Sequence, residues 1–154
     1  MKGNELVLKT LNDMLAQELT AINQYMVHSE MCADWGYDKL HEAVEKRAIV
    51  EMKHAESLIG RILYLEGTPT VSVLNKMHIG SDVHTQLKND LASEADAIEF
   101  YNKAMEIASD AADNGSRELI KELLLDEEDH ADWIETQLEQ IDQIGLQNYL
   151  IEQI

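Results

Sequence analysis

Pro69 is the only proline among 154 residues, and the chain on either side of it is written almost throughout in helix formers. Apolar residues recur at steps of three and four, and seven glycines are too few to interrupt such a chain often. Breaks are expected at DWGY (34–37), EGTPTVSVLNKMHIGSD (66–82), DNGS (113–116) and Gly145, with Asp38, Ser81 and Ser116 as candidate N-caps. Four long helices and a short C-terminal one remain. Each long helix holds roughly 28 residues and runs roughly 42 Å.

Tight turns after the first and third helices require antiparallel hairpins. The middle connection, about 15 extended residues, reaches up to roughly 50 Å. That is enough to travel the length of the bundle, so the second and third helices run parallel. The expected fold is all-α: a ferritin-like four-helix bundle with one long crossover and a short fifth helix, residues 1–154 forming one domain.

The buried seams carry the chemistry. The first helix offers Leu8, Leu11, Leu15, Glu18, Ile22 and Tyr25, and the second Leu40, Val44, Glu51, His54, Leu58 and Ile62. On the third lie Leu87, Leu91, Glu94, Ile98, Tyr101 and Met105, and on the fourth Ile120, Leu123, Glu127, His130, Ile134, Leu138 and Ile141. All follow steps that keep one helix face inward. Every long helix therefore aims at least one carboxylate at the core.

One offset relates these polar intrusions: 94 − 18, 127 − 51 and 130 − 54 all equal 76. It also pairs Tyr25 with Tyr101, Ile22 with Ile98 and Ala55 with Ala131, as an old duplication would leave them. Within each half, 51 − 18 and 127 − 94 both equal 33, and the midpoints fall at the two tight turns. Residues equidistant from a hairpin turn lie level across it, so all six side chains meet near mid-bundle.

EMKH (51–54) and EEDH (127–130) each set a glutamate three residues before a histidine, about 60° apart on a helix, so both side chains reach one centre. A single such pair is usually solvated surface. Two pairs, in register with two further seam glutamates, predict a metal site of Glu18, Glu51, His54, Glu94, Glu127 and His130. Oxygen and nitrogen donors without thiolate suit iron or manganese, with zinc also accommodated, and four carboxylates balance two divalent cations. Without metal the carboxylates repel, so some should take up protons or the centre should open. Metal binding should raise the melting temperature.

Twelve basic against 30 acidic residues give a net charge of −18, which repels nucleic acid and anionic membranes and concentrates cations. No run approaches the length of a membrane span, and the N-terminus lacks the apolar stretch of a secretory signal, so a cytoplasmic protein is expected. Cys32, the one cysteine, agrees with a reducing compartment and reads as a small buried hydrophobe. His28, His41, His78 and His84 have no matching constellation and read as surface or hydrogen-bonded residues. Trp35 and Trp133 read as packing, and Tyr25 as a hydroxyl close to the centre.

MKGNELVLKTLNDMLAQELTAINQYMVH, EMKHAE, RILYLEG, DEEDHADWIETQLEQID and IGLQNYL closely resemble bacterioferritin over nearly the whole chain. The resemblance implies a ferroxidase di-iron centre, two Fe per subunit, on the six residues named above. Glu51 and Glu127 would bridge the metals, with Glu18 and His54 on one and Glu94 and His130 on the other. It further implies a haem b shared between two subunits with Met52 as axial ligand. About 100° of helix rotation separates Met52 from Glu51, which turns it away from the centre. Also implied are a 24-subunit shell built of dimers, with QNYLIEQI at the four-fold contacts, co-assembly with a related subunit in some members, and a ferredoxin partner for iron release. The activity implied is oxidation of Fe(II) by dioxygen or hydrogen peroxide, storage of ferric mineral and haem-assisted release.

One departure stands out: Lys46 and Val50 occupy positions where some members carry a histidine and an aspartate as an inner-surface iron site, so that site is expected to be missing. A di-iron oxidase or peroxidase without storage, or a manganese catalase, would use related ligands. Rubrerythrin needs a cysteine-ligated iron domain that one cysteine cannot build. A purely structural bundle does not explain the matched offsets.

Overall fold

The computed structural model describes residues 1–154 and has helices α1 (Glu5–Asp34), α2 (Asp38–Tyr64), α3 (Val83–Asp110), α4 (Asn114–Ile144) and α5 (Leu146–Ile151), with no strands. α1 packs chiefly on α2 and α3 on α4, and α1 against α3 joins the hairpins. This is the expected ferritin-like bundle. The apolar seams form two plugs separated along the bundle axis. Leu11, Met14, Leu15, Leu58, Ile62, Ala104, Ile120 and Leu123 fill one end. Cys32, Leu40, Leu87, Ile134, Ile141 and Tyr149 fill the other, where α5 closes the bundle and the Tyr149 hydroxyl donates to Gln137 Oε1 at 2.8 Å. Cys32 is buried as expected, and burial beside Asp90 pushes its thiol up to about 11.

Helix termini differ from the expected caps. Asp113, not Ser116, caps α4, accepting from the Ser116 N–H at 3.0 Å. Asp82, next to Ser81, caps α3 through the Thr85 N–H at 2.8 Å, and Asp38 is the first residue of α2 after an uncapped Tyr37. In each case the apolar period marks the helix but not its first residue, and at α3 and α4 a carboxylate nearby outcompetes the serine for the free N–H groups. The second turn also comes earlier than DNGS. Ala112 takes the left-handed conformation there (φ 55°), while Gly115 lies already inside α4, where a Cβ would stand 2.6 Å from the Arg61 guanidinium.

The crossover runs in the direction of α1 and is stapled to one of its faces. Asn12 accepts from Thr70 N–H at 2.8 Å, Thr20 Oγ1 from Asn75 at 2.8 Å, Gln24 Oε1 from His78 at 3.0 Å and His28 Nε2 from Gly80 at 3.0 Å. Since His28 Nε2 accepts, its proton sits on Nδ1 and is donated to Asp90 Oδ1 at 2.9 Å. His28 is fully buried and hydrogen-bonded, one of the two readings the sequence allowed.

Candidate metal centre

Between the two apolar plugs the structure gathers all six predicted ligands. Glu18, Glu51, Glu94 and Glu127 are at most 2% exposed and His54 is 4% exposed, while 10% of the His130 side chain is exposed. Their donor atoms fall into two groups, Glu18, Glu51, His54 and Glu127 in one and Glu51, Glu94 and His130 in the other, each within 4.8 Å. Glu51 belongs to both. His54 Nδ1 lies 3.1 Å from Glu51, 3.2 Å from Glu127 and 3.5 Å from Glu18; His130 Nδ1 lies 2.7 Å from Glu94. Glu94 Oε2 is buried without any hydrogen-bond partner, an acceptor that a cation would satisfy.

The duplication is visible in space. The Tyr25 hydroxyl donates to Glu94 Oε1 and the Tyr101 hydroxyl to Glu18 Oε1, so each half of the chain orients a carboxylate of the other. Tyr25 thus lies where the sequence suggested, and its repeat partner shares the role. Burial, with Glu94 and Glu18 opposite, pushes both phenols well above their usual range, so they remain donors.

Four carboxylates in one dry volume do not all ionise. Burial raises Glu18 well above the ordinary range, with Glu51 beside it adding to the effect, and burial together with Glu94 raises Glu127. Glu51 and Glu94 are lowered despite burial, because Glu18 and His54 beside the first, and Glu127 and His130 beside the second, favour the charged form. Burial would depress His54, but Glu127, Glu18 and Glu51 raise it strongly instead.

Three neighbours were not foreseen. Asp126 Oδ2 takes the other ring nitrogen of His54 at 2.8 Å, fixing the ring with Nδ1 inward. Asp126 is hidden in the acidic run DEED, where nothing distinguishes it from solvated surface. Trp133 stacks on His130 at 5.9 Å between ring centres, and packing is indeed its role. Arg47 Nε donates to Glu51 Oε1 at 2.8 Å and its Nη2 to Glu127 Oε2 at 3.1 Å. Arg47 falls three residues after Val44 and four before Glu51, so the seam periodicity itself could have found it.

Two pockets flank the centre. One, about 280 Å³, is lined by Glu18, Glu51, Glu94 and Glu127 and opens beneath the crossover past Asn75, Lys76 and Asp96. The other, about 520 Å³, has Lys39, Lys46, Arg47, Val50, His130 and Trp133 in its wall. Met52 points away from the centre and is 52% exposed, one turn after the exposed Ile49. Away from the centre, His41 lies 3.5 Å from Glu45 and 4.0 Å from Glu30, an exposed grouping the sequence did not suggest, though Ser29 Oγ already engages its Nδ1 at 2.9 Å. No helix is long and apolar enough to cross a membrane.

Residues 8–144 match the family model described as Ferritin-like domain. The bacterioferritin of Brucella melitensis is 42% identical, covering 97% of this chain and 92% of that protein. A bacterial ferritin of Synechocystis is 43% identical over 100% of this chain and 99% of its own, and the bacterioferritin of Rhodobacter capsulatus is 39% identical over 98% and 94%. With a family match over most of its length and relatives aligned nearly end to end, the chain belongs to the bacterioferritins of the ferritin-like family.

Proposed function

We propose that this protein oxidises Fe(II) at the six-residue centre and stores the product as ferric mineral inside a 24-subunit shell assembled from dimers. The carrying observation is the pair of overlapping donor groups that share Glu51, a geometry for two cations side by side. Two ferrous ions, as substrate, supply the two electrons that reduce dioxygen to hydrogen peroxide or peroxide to water. Glu18 and His54 take one ion, Glu94 and His130 the other, and Glu51 and Glu127 both. The carboxyl protons held on Glu18 and Glu127 leave as iron arrives, offsetting the positive charge that enters. Tyr25 and Tyr101 keep Glu94 and Glu18 aimed inward, and the pocket beneath the crossover is the route by which the ions enter from outside.

Haem b fits the α1–α2 face. Met52 offers an exposed thioether there, one turn from the exposed apolar Ile49, and would hold the haem iron together with a methionine from a second copy. When bound, the haem would pass electrons from a ferredoxin to the stored ferric iron. Met52 would hold it at the dimer contact.

Titrating the metal-free protein with ferrous ion in air tests this reading, following ferric absorbance and oxygen uptake. We expect a fast phase ending near two irons per chain, then slower mineral growth in a particle far larger than a dimer. A stop at two in a small oligomer would replace storage by a di-iron oxidase. Absence of a saturable fast phase would overturn the centre.

A further inference from the structure

Among the polar groups of the centre, Arg47 is the one cation that the oxidation chemistry does not employ. Its side chain is 12% exposed, and its guanidinium spans α2 and α4, helices that otherwise touch little. Nε and Nη2 reach Glu51 Oε1 at 2.8 and 2.7 Å, Nη2 reaches Glu127 Oε2 at 3.1 Å, and Nη1 donates to the Asp126 carbonyl at 3.2 Å. Each carboxylate thus gives one oxygen to Arg47 and turns the other to His54. These are the two carboxylates assigned to bridge the metals, and a bridging carboxylate commits both oxygens. Guanidinium and metal draw on the same negative charge.

The repeat shows that packing does not require a cation here. The position matching Arg47 in the second half, 47 + 76 = 123, is Leu123, a buried core residue. Position 50, which matches Asp126 under the same offset, is Val50. The halves therefore agree at all six candidate ligands and at both tyrosines but differ at Lys39, Lys46, Arg47 and Val50, which line the second pocket together with Glu42.

We propose that Arg47 is an internal cationic latch. In the metal-free protein it neutralises Glu51, positions both Glu51 and Glu127, and clamps α2 to α4. Entering metal has to loosen its hold on those two carboxylates, so Arg47 lowers metal affinity while supporting the empty fold. Arginine suits this task because its planar fork reaches both carboxylates at once, which an ammonium cannot. The proposal rests on the six-residue centre being a two-metal site.

The test compares wild type, Arg47→Gln and Arg47→Lys as full-length assembled protein, with thermal melts of the metal-free form and calorimetric titration with zinc, which has no redox chemistry. For Arg47→Gln we expect a lower metal-free melting temperature together with zinc binding tighter by about tenfold or more. Arg47→Lys should shift both quantities the same way by less, and it covers the case in which the glutamine variant fails to fold. Zinc binding that is unchanged or weaker in the folded variants overturns the latch. Should wild type itself bind no zinc, or bind it equally after Glu18→Ala and Glu94→Ala, the two-metal reading is what fails.

Discussion

At the residue scale the centre pairs two raised carboxyls with two lowered ones. Burial raises Glu18 and Glu127 well above the usual range. A carboxyl raised in this way stabilises the fold fully below its unfolded value, about 4.3, and loses that contribution as the pH climbs towards the folded value. The metal-free protein should therefore lose stability from these two groups as pH rises, while the same deprotonation favours metal. Glu51 and Glu94, lowered, work oppositely and lose their contribution below the ordinary carboxylate range. Melts with and without zinc between about pH 5 and 8 should show the gap between them widening with pH; a gap that narrows would contradict this proton count. The two tyrosines give a sharper prediction. Tyr25→Phe leaves Glu94 Oε1 to His130 alone and Tyr101→Phe leaves Glu18 Oε1 without its donor; each should weaken zinc binding about 10-fold, with helix content unchanged by circular dichroism. Equal affinity in both variants would show that the hydroxyls do not orient the ligands.

At the scale of elements, periodicity located every helix but not every terminus. The seams named in sequence are buried or half-buried in the bundle, since a face that repeats every 3.6 residues can only pack inward. N-caps are set by one side-chain oxygen meeting one N–H, which is why Asp82 and Asp113 replaced their serine neighbours. Asp113→Ala should cost about 1–2 kcal/mol in denaturant unfolding, because Asp113 also pairs with Arg61 at 2.7 Å. The lowered carboxyl of Asp113 places its contribution above the ordinary range, to be lost as the pH falls through the folded value. Ala112, left-handed at φ 55°, predicts the opposite sign. Ala112→Gly should stabilise by about 0.5–1 kcal/mol, and a destabilised variant would mean that the turn relaxes in solution. Arg47 falls on the seam period, three residues after Val44, but a seam followed through apolar and metal-ligating residues alone passes over it. Asp126 was not legible at all, because contact with His54 crosses between helices far apart in sequence.

At the scale of the whole molecule the 76-residue offset has become an approximate two-fold relation between hairpins. That relation explains why the six clustered residues could be written down from spacing: a hairpin turn fixes which residues stand level, and the repeat fixes the rest. Assembly is another matter, since no periodicity encodes the number of copies. Met52 and Ile49 are exposed one turn apart on α2, and under the proposed haem role Met52→Leu should abolish haem binding without disturbing the iron titration. Loss of both would tie Met52 to the centre itself. The central claim is that side chains from four helices and both halves of the chain hold two metals together. Its most direct measurement is anomalous diffraction at the iron edge from crystals soaked anaerobically in ferrous ion. Two peaks about 3.5–4 Å apart are expected, one beside Glu18 and His54, the other beside Glu94 and His130, with Glu51 touching both. Iron found only outside this cluster, or one ion at its middle, would contradict the account.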